Sequence, residues 1–89
     1  MKKCAIVTGG ASGIGRAVVA ALSREGNTVV VADKDEKTGL LVAEEHGGLF
    51  VGVDLAAGAS CRTLIDKTIN RYGRIDILIN NAGFQHVAP

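Results

Sequence analysis

A glycine-rich segment near the start of the chain has the residue types needed to hold a phosphate group. It covers residues 8–15, reads TGGASGIG and directly follows an apolar run. If a helix begins there, its first N–H groups point at the turn and its dipole favours an anion. Glycine has no Cβ, so it permits a tight turn and lets a pyrophosphate approach the backbone. The segment predicts a pyrophosphate site, with a glycine turn that binds no ligand as the alternative.

A carboxylate lies where a dinucleotide site would need one for its ribose. Such sites place it about 20 residues beyond the glycine turn, and Asp33 is near that position, directly after the second apolar run. It could accept hydrogen bonds from both ribose hydroxyls, and its charge would repel a 2′-phosphate. Ala11, rather than a basic residue, precedes Ser12, although Lys34 lies beside the carboxylate. We therefore expect NAD rather than NADP. The start of a solvated turn, or a helix cap, is the alternative role of Asp33.

Polar residues also follow two later apolar runs, at the ends where ligands bind to open parallel sheets. Asp54 is placed to accept a hydrogen bond from the adenine amino group, with Leu55 supplying its backbone. An N-cap of the next helix is an equally good interpretation of Asp54. Residues 80–83 read NNAG. The Asn side chains can pair with nearby backbone where a sheet opens, and Ala and Gly keep the backbone near the crevice.

Four apolar runs and the segments between them predict the elements that position these residues. The runs are nearly continuous, which indicates strands buried on both faces, at 4–8, 28–32, 49–53 and 75–80. Helical segments separate them at 13–24, 35–46 and 57–72. Crossovers of this kind require parallel strands with right-handed connections. We expect a four-stranded parallel sheet in the order 3-2-1-4, flanked by three helices.

The apolar residues of the helical segments mark the faces that we expect to pack on the sheet. The expected core-facing residues are Ile14, Val18, Leu22, Leu40, Leu41, Ala43, Leu64, Ile65, Thr68, Ile69 and Tyr72. The two cysteines, Cys4 and Cys61, lack the spacing of metal ligands. We expect two buried thiols in a reducing compartment and no metal site.

Length and charge restrict the classes of function. The 89 residues suffice for one small domain, so we treat 1–89 as a single unit. The formal net charge of +1 offers no strong attraction to nucleic acid or to an anionic membrane. The first apolar run is far too short for a signal peptide or a membrane span. We therefore expect a cytoplasmic protein.

The glycine turn, Asp54 and the NNAG segment together resemble one family, the classical short-chain dehydrogenases/reductases, in order and spacing along the whole chain. The resemblance implies an α/β, Rossmann-type doubly wound parallel sheet, here truncated, and NAD as the cofactor. It also implies that Asn80 stabilises the sheet. The implied cofactor contacts are Gly9, Ser12, Gly13, Ile14, Gly15, Asp33, Asp54, Leu55, Asn81, Ala82 and Gly83.

A shorter segment, residues 83–89, resembles the corresponding part of bacterial D-3-hydroxybutyrate dehydrogenases. By that resemblance Gln85 would help to hold the carboxylate of a small hydroxy acid. A polar loop or a frayed terminus is the alternative. The implied parent reaction is hydride transfer between a secondary alcohol and NAD.

The family's catalytic Tyr-x-x-x-Lys pair, in which the tyrosine is the general acid/base, does not occur in this sequence. The one tyrosine, Tyr72, is followed four residues later by Asp76. We therefore expect the NAD-binding portion of a dehydrogenase, without catalytic residues, that forms a homo-oligomer to cover an exposed sheet edge. The alternative is a non-catalytic adenine-nucleotide-binding module or a self-associating remnant.

Overall fold

The computed structural model describes residues 2–54 and 58–81, in which strands and helices alternate along the chain. The elements are β1 (Cys4–Thr8), α1 (Gly13–Arg24), β2 (Thr28–Asp33), α2 (Glu36–Glu45), β3 (Leu49–Gly52), α3 (Gly58–Tyr72) and β4 (Ile77–Asn80). This order confirms the predicted alternation of strands and helices. The largest difference at a boundary is in β4, which begins at Ile77 rather than at residue 75.

The sheet is parallel throughout, and its strand order is β3-β2-β1-β4, which confirms the predicted topology. β1 is an inner strand, because Ile6 is level with Val30 on one side and with Leu78 on the other. Parallel strands all end at the same edge of a sheet, and ligands of open α/β sheets bind outside that edge. The residues that follow the four strands therefore meet along one edge.

Two clusters of buried side chains, one on each face of the sheet, hold the helices in place. On one face, Val19 of α1 and Val42 of α2 pack with Val31 and other strand valines. On the opposite face, Leu64 of α3 packs with Ile6 and its neighbours. Full burial of one such aliphatic side chain contributes about 1.5–3 kcal/mol. Apolar side chains of all three helices are therefore packed against the sheet.

The first two helices, α1 and α2, face the sheet through smaller residues than the pattern predicted. In α1, Gly15 and Val19 are buried, whereas Ile14 is 71% exposed. In α2, Gly39 is buried, and the ring of Phe50 occupies the space where a side chain at Gly39 would lie. In α1 and α2, close approach through a glycine turns the adjacent large residues away from the sheet, whereas α3 is buried through Leu64 and Thr68. The prediction is therefore wrong for Ile14, Leu40, Leu41, Ile65 and Ile69, which are all exposed.

The burial of the strands differs between the centre and one edge of the sheet. Every residue of β1 is buried, as are the inner residues of β2, in agreement with the prediction. In β4, however, half-buried and exposed residues alternate. Leu78 is 58% exposed although its neighbour Ile6 on β1 is fully buried. Burial on both faces is therefore wrong for β4, because α3 does not extend over its Leu78 side.

The cysteines are both free thiols. Cys4 is buried, as predicted, and this burial raises the pKa of its thiol. Cys61 lies on the exposed side of α3, so the prediction of two buried thiols is wrong for it. Within residues 2–54 and 58–81, no three His, Cys, Asp or Glu side chains are grouped to hold a metal. None of the helices in these ranges is long and apolar enough to cross a membrane.

A carboxylate fixes the position at which β4 begins. The Oδ2 atom of Asp76 accepts a hydrogen bond from Cys4 N at 2.8 Å, and Asp76 N donates to Cys4 O at 2.9 Å. Arg74 donates to both oxygens of the same carboxylate, at 2.7 and 2.8 Å. The Arg74 hydrogen bonds, and then that from Cys4 N, hold the pKa of Asp76 at about 2, below its ordinary value of 3.8. At this position the Asp76 carboxylate accepts the hydrogen bond of Cys4 N, while the backbone hydrogen bond from Asp76 N to Cys4 O is retained.

We predict that Asp76→Asn destabilises the fold at neutral pH and that the effect disappears in acid. Because the pKa of Asp76 is lowered on folding, the carboxylate stabilises the folded state fully above pH 3.8. This contribution is lost as the pH falls from 3.8 through about 2. Urea unfolding at a series of pH values should give free energies of unfolding that converge near pH 2.

The control for this prediction is Asp66→Asn, which neutralises an exposed carboxylate on α3. It should change the free energy of unfolding little at any of these pH values. A difference between the Asp76 variant and the unaltered chain that stays constant down to pH 2 would contradict the assignment.

Candidate functional site

The turn between β1 and α1 has the backbone conformation that its glycines predict. Gly9 and Gly13 have φ angles of 66° and 56°, in the left-handed region that favours glycine. Ser12 occupies the N-cap position of α1 with extended backbone, and its side chain makes no capping hydrogen bond. The first N–H groups of a helix have no acceptor within the helix. The turn therefore presents uncapped N–H donors and a hydroxyl at the carboxyl edge of the sheet.

The first turn of α1 lies directly against this glycine turn. A Cβ at Gly15 would collide with the carbonyl oxygen of Gly9 and would lie 2.7 Å from Nδ2 of Asn81. Asn81 is only 8% exposed, and its Nδ2 donates a hydrogen bond to Gly9 O at 3.2 Å. The glycine turn is thus in contact with both the helix that follows it and the end of β4.

The carboxylate of Asp33 lies beside the same turn. Its Oδ2 accepts a hydrogen bond from Ala11 N at 3.1 Å, and its Oδ1 accepts one from Asp35 N at 3.0 Å. The N-cap of α2 is Asp35, whose side chain accepts from Thr38 N, so the alternative of Asp33 as the helix cap is wrong. The contact with Ala11 was not predicted, since no pattern in the sequence indicates which N–H the carboxylate meets.

Asp54 lies further along the carboxyl edge, after β3. It is exposed and lines an open pocket of about 260 Å³ together with Lys34, Glu36, Gly52 and Val53. The described part of α3 begins at Gly58. The interpretation of Asp54 as the N-cap of this helix depends on residues outside the described ranges and stays a prediction. Lys34, which directly follows β2, connects the pocket to the end of that strand. Asp54 lies on the side of Asp33 that is away from the glycine turn.

Asn80 and Asn81 have different surroundings despite being adjacent. Asn80 is exposed, and its Oδ1 accepts a hydrogen bond from the hydroxyl of Thr8 at 3.1 Å, which is a contact between β4 and β1. Asn81 points to Gly9 instead. The implied sheet-stabilising role suits Asn80, but the buried amide of Asn81 also has a structural partner that the motif did not indicate.

The basic side chain in the first turn of α1 is paired with a carboxylate. Arg16 donates to both oxygens of Glu45, at 3.1 and 3.2 Å, and both side chains are nearly half exposed. Such an exposed pair contributes at most about 1 kcal/mol. Its consequence for the site is that the electrostatic attraction for an anion comes mainly from the backbone of the turn and the helix dipole.

The structure therefore brings Gly9, Ser12, Gly13, Ile14, Gly15, Asp33 and Asn81 together around one turn, with Asp54 beyond β3. Four other predicted site residues lie outside the described residues, namely Leu55, Ala82, Gly83 and Gln85.

The sequence matches the model of a family described as short chain dehydrogenase over residues 3–89. The chain is 45% identical over 88 residues to L-fucose dehydrogenase of Bos taurus, an alignment that covers 98% of this chain and 32% of that protein. It is 36% identical over 96 residues to L-2,3-butanediol dehydrogenase of Corynebacterium glutamicum, covering 100% of this chain and 37% of that protein. The specific closeness to D-3-hydroxybutyrate dehydrogenases is not shown by these relatives.

A solved structure gives the same result for the fold. The 3-ketoacyl-(acyl-carrier-protein) reductase from Brucella melitensis, complexed with NADH, superposes with a TM-score of 0.83 at 29% identity. The superposition covers 85% of this chain and 32% of that one, and the chain spans about a third of the length of all three relatives. On the family match and the shared fold, the chain belongs to the short-chain dehydrogenase family, whose oxidoreductases use a nicotinamide cofactor.

Proposed function

We propose that residues 1–89 bind the adenosine and pyrophosphate groups of NAD, and that the whole protein transfers hydride between a secondary alcohol and NAD. The observation that carries the proposal is the hydrogen bond of 3.1 Å between Ala11 N and the carboxylate of Asp33. This hydrogen bond brings the carboxylate of Asp33 against the glycine turn, which supports a ribose site next to a pyrophosphate site, as a dinucleotide requires. When bound, the nicotinamide supplies the hydride acceptor, and the residues of this chain hold the other end of the cofactor.

The pyrophosphate is assigned to the glycine turn. Gly13, Ile14 and Gly15 lie in the first turn of α1, where the N–H groups lack acceptors within the helix. The hydroxyl of Ser12 is not engaged in capping and can donate to the same anion. Gly9 allows the backbone to turn beneath the ligand. The exposed side chain of Ile14 would then contact the cofactor.

The adenosine is assigned to the ends of β2 and β3. Asp33 would accept hydrogen bonds from the two ribose hydroxyls, and Asp54, with the backbone of Leu55, would hold the adenine. A carboxylate at Asp33 repels a 2′-phosphate, which favours NAD over NADP. Lys34 acts in the opposite sense at the rim of the pocket. The motif further assigns cofactor contacts to Asn81, Ala82 and Gly83.

The substrate is proposed from resemblance alone. Gln85 would hold the carboxylate of a small hydroxy acid such as D-3-hydroxybutyrate, whereas the names of the relatives support a dehydrogenase without fixing its substrate.

Tyr72 is partly buried in the cluster beneath α3, and the guanidinium of Arg71 lies 5.4 Å from its ring centre. We propose that Tyr72 is structural. A cytoplasmic location stays a prediction.

A non-catalytic module that binds an adenine nucleotide is the second candidate function. The described site residues all belong to the proposed adenosine and pyrophosphate side, and the sequence contains no Tyr-x-x-x-Lys pair. This alternative differs from the first only in whether hydride transfer accompanies binding.

We also propose that a second copy of the chain covers β4. Among the described residues no strand lies beside the outer edge of β4, and Leu78 on this strand is exposed. An unpaired edge with an apolar side chain is a template for pairing with another strand. Two copies joined along β4 would remove the outer edge of β4 in each copy from water.

We predict that Asp33→Ala weakens NAD binding about tenfold to a hundredfold, because hydrogen bonds to a charged group contribute about 1.5–3 kcal/mol. Binding of NADP should change much less, since the repulsion of the 2′-phosphate is removed together with the hydrogen bonds. Isothermal titration with both nucleotides measures the difference. The control Asp66→Ala removes one exposed carboxylate from α3. Unchanged affinity for NAD in the Asp33 variant would refute the ribose assignment.

We predict that the 89-residue chain sediments as a dimer or larger oligomer, and that Leu78→Asp shifts it towards monomer by placing a charge at the β4 edge. Analytical ultracentrifugation over a range of concentrations measures the distribution. Leu41→Asp is the matched control, since Leu41 is an exposed leucine on α2. A folded monomer at all concentrations would count against self-association.

We predict that the same chain binds NAD without reducing it when D-3-hydroxybutyrate is supplied. The physical reason is that the sequence has no tyrosine followed four residues later by lysine to take the hydroxyl proton. Absorbance of NADH measures turnover, and titration on the same sample measures binding. Stoichiometric binding with sustained NADH formation would overturn the proposal that this chain is non-catalytic.

A further inference from the structure

The glycine turn after β1 is attached to the end of β2 by two hydrogen bonds of different kinds. Gly9 N donates to Ala32 O at 2.7 Å, a bond between backbone groups that does not depend on any side chain. Ala11 N donates to Oδ2 of Asp33 at 3.1 Å, and this bond exists only because residue 33 carries an acceptor of suitable length. The second attachment of the turn is therefore determined by the side chain of Asp33.

The N–H group of Ala11 needs this acceptor. Ala11 is only 1% exposed, and a buried backbone N–H without a partner is costly, so nearly all such groups in native proteins are paired. Ala11 directly precedes Ser12, the N-cap of α1, after which the uncapped N–H groups of the helix begin. Loss of the Asp33 acceptor should therefore shift the backbone at the point where the turn enters the helix.

The carboxylate can hold the turn and a ribose at the same time. An ionised carboxylate accepts about four hydrogen bonds. Within the described part of the chain, it accepts one on each oxygen, from Ala11 N at 3.1 Å and from Asp35 N at 3.0 Å. Asp33 is half-buried, so one side of it remains open to a ligand. The acceptor positions that remain equal in number the two ribose hydroxyls of the proposed function.

The charge of Asp33 and its hydrogen bond to Ala11 have opposite effects on an anion at the glycine turn. The negative charge alone repels a neighbouring phosphate. The hydrogen bond favours the phosphate, because it holds the turn in the shape that presents the N–H groups. Removal of the carboxylate should therefore strengthen pyrophosphate binding if charge dominates and weaken it if the hydrogen bond dominates.

We propose that Asp33 is a positioning residue for the pyrophosphate site, in addition to its proposed contact with the ribose. Its carboxylate holds Ala11 N and thereby sets the glycine turn and the start of α1. This inference rests on the proposed function, because it gives the ribose carboxylate a second role in the same nucleotide site. A substitution that alters ribose recognition then also alters the phosphate side.

The test uses inorganic pyrophosphate, which has no ribose, and two variants that both lack the charge. Asp33→Ala removes the acceptor as well, whereas Asp33→Asn keeps one oxygen that can accept from Ala11 N. That oxygen should turn to Ala11 N rather than to Asp35 N, because Ala11 is buried whereas Asp35 is exposed and its N–H can bind water. The difference between the two variants therefore isolates the hydrogen bond from the charge.

Titrations followed by NMR should show that Asp33→Ala binds pyrophosphate at least about threefold more weakly than the unaltered chain, whereas Asp33→Asn binds it within about twofold or more tightly. In the absence of ligand, the Ala11 amide proton should exchange with solvent faster in the alanine variant than in the asparagine variant. Rescue by asparagine is not expected if the carboxylate acts on the anion through its charge.

Pyrophosphate binding by Asp33→Ala that equals or exceeds that of the unaltered chain would overturn the inference, as would equal losses in the two variants. If circular dichroism shows that Asp33→Ala does not fold, Asp33→Ser takes its place. The serine side chain is one bond shorter than that of aspartate, so its hydroxyl does not reach Ala11 N. The same outcomes then apply to the serine variant.

Adenosine, which has the ribose hydroxyls but no phosphate, separates this inference from the proposed function. Weaker binding of adenosine by Asp33→Ala, together with unchanged binding of pyrophosphate, would keep the ribose assignment and overturn only the positioning role. If the unaltered chain binds neither adenosine nor pyrophosphate, the proposed function fails and the inference fails with it.

Discussion

The close approach of α1 to the turn after β1 is the constraint on which the site depends. Gly15 lies against the carbonyl of Gly9 at a separation that no larger residue permits, and Asn81 donates to the same carbonyl. This approach places the N-terminus of a helix, with its unpaired N–H groups and favourable dipole, at the carboxyl edge of the sheet. It also determines the rotation of α1, which packs through Val19 and leaves Ile14 outside.

The strands begin at one side of the sheet, the amino edge, and end at the other, the carboxyl edge, and these two sides have different roles. At the amino edge, Asp76 joins the start of β4 to Cys4, and Arg74 holds that carboxylate in its charged form. At the carboxyl edge, the glycine turn and Asp33 form the candidate site. Valine and leucine burial on both faces connects the edges into one rigid layer. The contacts that lock the register of β4 are thus separated from those proposed to bind a ligand.

The electrostatics of the candidate site come mostly from the backbone. Arg16 is engaged by Glu45, so the positive potential at the glycine turn rests on N–H groups and the helix dipole. Asp33 is held by two backbone N–H groups, which fix the direction of a carboxylate that is only partly buried. A ligand proposed for this site would meet fixed main-chain geometry rather than mobile charged side chains.

The sequence by itself determined the elements, the parallel order of the strands and the edge at which the glycine turn and Asp33 would meet. These follow from local periodicity, glycine positions and the handedness of crossovers, which are properties of short segments and their succession. Only the tertiary structure decided that Ile14, Leu40 and Leu41 face outward. The reason is that the distance at which a helix packs depends on the glycines that contact other elements. It likewise decided that the Asn81 amide meets Gly9, a contact between residues 72 positions apart that no local pattern encodes.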